Sequence, residues 1–330
     1  MKKIYFTIYI LVLIVFILEI FLQFKKPSVY EFSRVMGWVT KKNFTKNFKL
    51  TDFYGNKYEG LYKTNTFGAR EVGHPDSKKK ILVIGDSFTM DAHTGNSSSW
   101  FGILHKGLEN EYGKNFTISA IGGGGYGTNQ QYLIADQFMK QSNFDPDLVI
   151  LQFCINDFMN NSHEWESQTS NYGQFLRRPY YVSNNHLFYH NFFLTEIVRS
   201  KIFSKLKLPN YLILLYSIFD ERYSTTLIDK SIKDKSVLLT QELLVKLKNI
   251  FKTDYVYAFN CKESNIYPEN AWSKTLNESG FITFQAPSKN LKMIENTVKI
   301  FFRDGGHYNE LGNKVMGEEI LFEIIQQNIF

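Results

Sequence analysis

Lys78-Lys79-Lys80-Ile81-Leu82-Val83-Ile84-Gly85-Asp86-Ser87-Phe88-Thr89 is the stretch on which the fold of this chain turns. Three lysines give way to four apolar residues in a row, and a glycine stops the run. A strand with water on one face would alternate polar and apolar residues. A short unbroken run is what a parallel strand buried on both faces needs. Similar runs recur at Phe116 to Ile121, Leu148 to Phe153, Tyr255 to Phe259 and Phe281 to Phe284. Helical patterns intervene at about Trp100 to Tyr112, Thr128 to Gln141 and Val237 to Phe251, and a last one closes the chain at about Leu311 to Ile325. This alternation predicts an α/β protein, a three-layer α/β/α sandwich around a mainly parallel sheet. Sheets of that kind hold their ligands at the carboxyl ends of the strands.

Outward from this core the chain changes character. Residues Ile4 to Phe24 are apolar apart from Thr7, Glu19 and Gln23, with lysines on both sides. At about 1.5 Å per residue the run can cross a hydrocarbon layer of roughly 30 Å. Leu22-Gln23-Phe24-Lys25-Lys26 lacks the small residues of a cleavage site, so residues 1–26 read as an uncleaved signal anchor with the rest of the chain exported. Residues 27–79, with Gly55, Gly60, Gly68 and Gly73 among short alternating segments, predict a β-rich lead-in packed on the main domain. The main domain then runs over 80–330. Tyr-, Asn- and Phe-rich sequence at about 160–235 breaks the rhythm and reads as an insertion at the rim of the site, partly helical around Phe193 to Lys207 and Leu212 to Phe219. The 330 residues are 44% hydrophobic and 21% charged, enough for a sizeable core. The net charge of +6 is scattered and forms no basic stripe, which argues against nucleic acid as a partner. The two cysteines, Cys154 and Cys261, read as plain buried thiols.

The residues that follow the strands carry the chemistry. Ser87 comes directly after the first strand, though a lone Gly-Asp-Ser is common in turns. Thr89 excludes the nucleophile elbow, which needs glycine at that place. The second strand ends in Gly122-Gly123-Gly124-Gly125-Tyr126-Gly127-Thr128. Two readings compete there: a dinucleotide loop, and backbone N–H groups aimed at a developing oxyanion. The acids Asp145 and Asp147 precede the next strand instead of closing it, which weighs against the nucleotide. Asn156, after the third strand, could donate its amide into the same cleft or cap a turn. In Arg303-Asp304-Gly305-Gly306-His307, the aspartate three residues before the histidine can hold one ring nitrogen and leave the other for a serine proton. His186 and His190 share helical spacing but lack the glutamate and third ligand of a zinc site.

Serine after the first strand, a glycine loop after the second, asparagine after the third and Asp-x-x-His near the end: this order resembles the SGNH or GDSL-like hydrolases over about residues 80 to 325. Gly37-Trp38 and Thr64-Asn65-Thr66-Phe67-Gly68-Ala69-Arg70 are similar to the lead-in of membrane-anchored bacterial members. The resemblance implies a flavodoxin-like sheet and an enzyme acting on ester bonds without a cofactor. It puts a triad on Ser87, Asp304 and His307, and an oxyanion hole on Ser87, Gly125 and Asn156. Ala120 stands where many members have a loop-fixing asparagine, and Cys154-Ile155 where glycines are frequent. The expected substrate is a small-molecule or glycan acyl ester outside the cytoplasm, with the membrane reached through the N-terminal helix. Two rival readings remain at this stage: an O-acyltransferase using the same serine, and a non-catalytic anchored binding or assembly protein.

Overall fold

The structure is a computed structural model, and it describes residues 2–23, 28–51, 55, 57–74, 76–90, 93–113, 115–168, 177–183, 186–189, 206, 208, 228–263, 271–302 and 307–330. The two helices expected around Phe193 to Lys207 and Leu212 to Phe219 fall on residues that lie almost wholly outside this set. Two compact units divide the chain: residues 1–39 with 163–228, and residues 40–162 with 229–330.

In the first unit, α1 (Lys2–Gln23) is long and apolar enough to cross a membrane, and its apolar side chains are exposed along nearly all of its length. The unit also holds β1 (Tyr30–Ser33), most of β2 (Gly37–Thr40), the short helix α6 (His163–Glu166), and the antiparallel pair β9 (Tyr180–Ser183) and β10 (His186–Phe188). Its buried polar centre is Glu166, which accepts from Arg178 at 2.6 and 3.0 Å and from the Tyr180 hydroxyl at 2.7 Å. The Arg178 guanidinium lies 5.3 Å from the Trp38 ring centroid. A buried charge is tolerable only with such complete pairing.

The second unit carries the sheet. Its order is β12 (Ile282–Phe284), β11 (Val256–Asn260), β8 (Leu148–Phe153), β6 (Lys79–Gly85), β7 (Phe116–Gly122) and β5 (Arg70–Gly73). All neighbours pair in parallel except β5, which runs antiparallel to β7. In chain order the parallel strands follow the 2-1-3-4-5 arrangement of flavodoxin-like sheets. The lead-in also forms the antiparallel hairpin β3 (Thr45–Thr51) and β4 (Lys57–Lys63).

The expected strands and helices are present with shifts of a few residues: α3 (Trp100–Tyr112), α4 (Thr128–Ser142), α7 (Lys230–Lys248) and α10 (Glu310–Gln326). Helix α7 begins earlier than its apolar pattern because Asp229 caps it, accepting from the Ser231 N–H at 2.7 Å. Ile81, Val83, Leu148 and Ile150 face a core built with Trp100, Leu104 and Leu108 of α3 and Met316, Ile320 and Ile324 of α10. The intervening Leu82, Ile84, Val149 and Leu151 are equally buried, so both faces of the central strands are covered. That double burial is why these strands read as unbroken apolar runs.

The cysteines correct the sequence reading. Cys154 and Cys261 are not free thiols but a disulfide, with Cα atoms 5.3 Å apart. The parallel register sets Phe153 beside Asn260, so the next residues of β8 and β11 leave the sheet side by side. A separation of 107 residues hides this adjacency in the sequence. Cross-linking so long a loop limits the unfolded chain, and replacing both cysteines with serine should cost about 2–4 kcal/mol in a denaturant melt. Adding reductant to the unaltered protein should reproduce that loss, and equal stability with and without reductant would refute it.

Candidate active site

β6 is the strand from which the sheet grows both ways, with β7 on one side and β8 on the other. At such a switch point the loops beyond the carboxyl ends diverge and leave a crevice. Ser87 opens the four-residue helix α2 (Ser87–Met90) directly after β6, the glycine loop follows β7, and Asn156 opens α5 (Asn156–Asn161) after β8. All three therefore leave neighbouring strands at the same end of the sheet. Ser87 and Asn156 are half-buried.

The glycine loop has local reasons for its composition. Gly85 and Gly122 pair across β6 and β7, and a Cβ on Gly122 would run into the Gly85 carbonyl oxygen. Gly125 has φ of +69°, a left-handed conformation that glycine adopts at no cost. The loop position that an asparagine at 120 would hold is braced from elsewhere. Asn160 of α5 donates to the Gly125 carbonyl at 3.1 Å, and the neighbouring Asn161 accepts from the Asn129 N–H at 3.1 Å.

Around Asn156 the turn is held by its neighbour. The Asp157 N–H donates to the Cys154 carbonyl at 2.8 Å, and the Asp157 carboxylate accepts from Gln131 at 3.2 Å. α5 has no side-chain cap. The Asn156 side chain is near enough to Asp86 to help hold its carboxyl down.

Asp86 is the group that sequence reasoning passed over. It is 2% exposed, and its Oδ1 accepts from the Phe88 N–H at 2.9 Å. Burial pushes its carboxyl up to about 6, while the Phe88 N–H, the nearby His307 and the Asn156 side chain pull it back. The hydroxyl of the adjoining Tyr308 is pushed well above its usual 10, first by burial and then by Asp86, against a bond to Gln152. Gln152 in turn accepts from the Thr89 hydroxyl. A buried polar layer thus underlies the serine.

His307 stands on a braced stub. Its carbonyl accepts from the Phe302 N–H at 2.9 Å, Phe301 bridges to Tyr308, and the Asn309 N–H reaches the Ile300 carbonyl at 2.9 Å. Asn309 also caps α10, accepting from the Gly312 N–H at 3.0 Å. The His307 ring lies 5.7 Å from that of Phe88, the residue after Ser87. Asp304, with Arg303, Gly305 and Gly306, lies outside the described residues.

Two more residues escaped the sequence reading. The His93 ring centroid is 5.2 Å from that of His307. Its signal was its place six residues after Ser87. Arg70, at the end of the lead-in motif, is buried and donates to the carbonyls of Thr89 at 3.0 Å and Thr94 at 2.8 Å. It therefore holds the loop that carries His93.

The shift of Asp86 sets a sign for stability. A carboxyl whose folded value lies above its unfolded 3.8 binds its proton more tightly when folded. Its contribution is full below pH 3.8 and is lost as pH rises through about 6, a change of about 3 kcal/mol. Asp86→Asn has no proton to lose there. The stability of this variant relative to the unaltered protein should accordingly be about 2 kcal/mol more favourable at pH 7 than at pH 4. Denaturant melts at both pH values check it, and a difference that does not change with pH would refute it.

Residues 83–182 match the family described as GDSL-like Lipase/Acylhydrolase, a segment that includes Ser87, Gly125 and Asn156 and stops short of His307. Among curated proteins none matches the chain. Among solved structures the chain is similar to TesA, at 11% identity and a TM-score of 0.42 over 76% of this chain and 100% of that one. The psychrotrophic esterase EstA from Pseudoalteromonas sp. is 10% identical, with a TM-score of 0.42 over 76% and 99%. The lipase/acylhydrolase from Enterococcus faecalis is 13% identical, with a TM-score of 0.43 over 76% and 96%. Over residues 83–182 the chain is similar to the GDSL-like lipase/acylhydrolase family, which supports an ester-hydrolysing enzyme.

Proposed function

We propose that the chain is an exported, membrane-anchored serine esterase that removes acyl groups from an O-acylated glycan or a similar surface ester. The observation that carries the reading is the convergence at the switch point. Ser87, Gly125 and Asn156 follow adjacent strands, and the His307 ring lies against the residue after the serine. In this scheme His307 takes the Ser87 proton as the serine oxygen attacks the ester carbonyl, and Asp304 orients the imidazole. The N–H groups of Ser87 and Gly125 and the amide of Asn156 hold the oxyanion. His307 then gives that proton to the departing alcohol as the acyl-serine forms, and water activated by the neutral His307 releases the acid and restores the serine. The scheme draws on no metal or cofactor. Export is supported by the Cys154–Cys261 disulfide, since such bonds persist in oxidising compartments, and anchoring by the exposed apolar length of α1.

A fluorophosphonate probe should label the full-length protein and leave Ser87→Ala unlabelled. With p-nitrophenyl acetate, Ser87→Ala and His307→Ala should each lose several orders of magnitude in turnover. The double variant should be no worse than either, because the pair acts as a unit. Multiplying losses would assign the two residues to different sites. Asn156→Ala should lower kcat roughly 10²–10³-fold with KM nearly unchanged. A normal kcat in a destabilised protein would remove Asn156 from the oxyanion hole.

The anchor has its own test. Full-length protein should stay with membranes through high-salt and carbonate washes, and its recovery in the soluble fraction would count against α1 as the anchor.

A further inference from the structure

We propose that His93 is a positioning residue for ester hydrolysis: its ring seats against that of His307 and fixes the plane in which the imidazole meets Ser87. The inference rests on the reading of Ser87 as nucleophile and His307 as its base.

The backbone of His307 is fixed, and its side chain needs more. The Phe302 N–H donates to the His307 carbonyl at 2.9 Å, and the Asn309 N–H to the Ile300 carbonyl at 2.9 Å, on either side of the bridge from Phe301 to Tyr308. These bonds hold the Cα of His307. Two torsions remain beyond it, and the outer one of a histidine has no sharp staggered wells. The ring is half-buried, so a closed core does not set its plane. The neighbouring rings do.

Two rings reach it from the segment after β6. Phe88 lies at 5.7 Å, tilted by 42°, and moves with the serine that it follows. His93 lies closer, at 5.2 Å and 37°, within the range at which tilted rings attract. The His93 ring also stands 5.6 Å from that of Phe302, at 43°. Phe302 and His307 are themselves joined by the 2.9 Å backbone bond. His93 therefore leans on both members of a bonded pair.

A brace works only if it is held. Arg70 is buried, and its Nη1 donates to the Thr89 carbonyl at 3.0 Å, its Nη2 to the Thr94 carbonyl at 2.8 Å and its Nε to the Asn96 Oδ1 at 3.1 Å. Thr89 and Thr94 stand on either side of His93 in the chain, so one rigid fork ties the segment at both ends. Asn96 is secured in turn, donating to the carbonyls of Lys63 at 2.8 Å and Glu71 at 3.2 Å. The guanidinium packs on the rings of Tyr62 and Phe101, at 4.7 and 5.0 Å. Thr89 shares α2 with Ser87. The same guanidinium thus sets the helix of the nucleophile and the loop of the brace, which gives serine and imidazole a common reference.

A proton acceptor that drifts by about 1 Å can cost roughly 10²-fold in rate. His93 prevents that drift by the bulk of its ring. Phenylalanine can therefore stand in for it, whereas glutamine, with a polar end and no ring, cannot.

The test uses the full-length protein in detergent, with p-nitrophenyl acetate turnover and the rate of fluorophosphonate labelling as two readouts. His93→Ala should lower kcat roughly 10–10²-fold with KM nearly unchanged, and should slow labelling by a similar factor, because both depend on proton transfer from Ser87 to His307. His93→Phe should recover most of the loss, and His93→Gln should not. A normal kcat in His93→Ala, or no recovery in His93→Phe, would overturn the proposal. Recovery in His93→Gln would make His93 a hydrogen-bonding group and overturn it too. A loss confined to KM, with labelling at the normal rate, would do the same by making it a substrate contact. Should His93→Ala not fold, the contrast between His93→Phe and His93→Gln decides alone. In the His307→Ala background His93→Ala should cost nothing further, and losses that multiply would count against the brace. If Ser87→Ala were still labelled, the reading of the serine would fall first. With Ser87→Ala unlabelled, a normal His93→Ala sinks the positioning role alone.

Discussion

A parallel strand buried on both faces can hold polar atoms only at its ends, and β6 is such a strand. Ile81 to Ile84 are wholly covered, half by the α3 and α10 side and half by the opposite layer. The close approach of Gly85 to Gly122 keeps β6 and β7 paired to their last residues. The chain is thus forced to release the serine turn and the glycine loop next to each other, with the Asn156 turn on the other flank. The polar groups of three separate segments are concentrated where the apolar sheet stops. The site is a consequence of where the core ends.

What that concentration costs is visible in two of the three buried carboxylates among the described residues, Glu166 and Asp86. Glu166 is also pushed up by burial, but Arg178 and the Tyr180 hydroxyl surround it, and the pull of Arg178 is the largest opposing effect. Such a group is a structural pair, satisfied within its own unit. Asp86 is opposed by a backbone N–H, a histidine and an amide, and it remains at about 6. A carboxylate held that close to neutral pH by burial is unfavourable for stability, and its neighbours are the residues assigned to the chemistry.

The parts legible in the sequence were those with a local cause. Continuous apolar runs marked the parallel strands, and with them the places where candidate site residues leave the sheet, because a strand's end is a property of its own sequence. The disulfide, the Asn160 brace and the Arg70 clamp were not legible. Each joins segments that are distant along the chain and adjacent only through sheet order: Cys154 to Cys261, Asn160 to Gly125, and Arg70 to Thr89 and Thr94. Asp86 was hidden differently. It sat inside a quoted motif, but its meaning lies in burial and in the partner it holds, neither of which has a periodicity. His93 likewise acquires interest only once its loop is folded back against His307.

The tertiary links also explain how segments from opposite ends of the domain keep their alignment. Cys261 is bonded to Cys154, two residues before Asn156, and its N–H donates to the Phe153 carbonyl at 2.8 Å. The carbonyl of the same Cys261 accepts from the Tyr308 hydroxyl, and Tyr308 follows His307. One residue at the end of β11 therefore anchors both the turn that carries Asn156 and the stub that carries His307. Phe88 packs on the Tyr308 ring at 4.6 Å and brings the serine turn to the same anchor. The proposed scheme needs a proton acceptor and an oxyanion donor fixed on one carbonyl group, and it tolerates little drift between them. A covalent bond and two hydrogen bonds meeting at Cys261 limit that drift, although the residues concerned come from three loops.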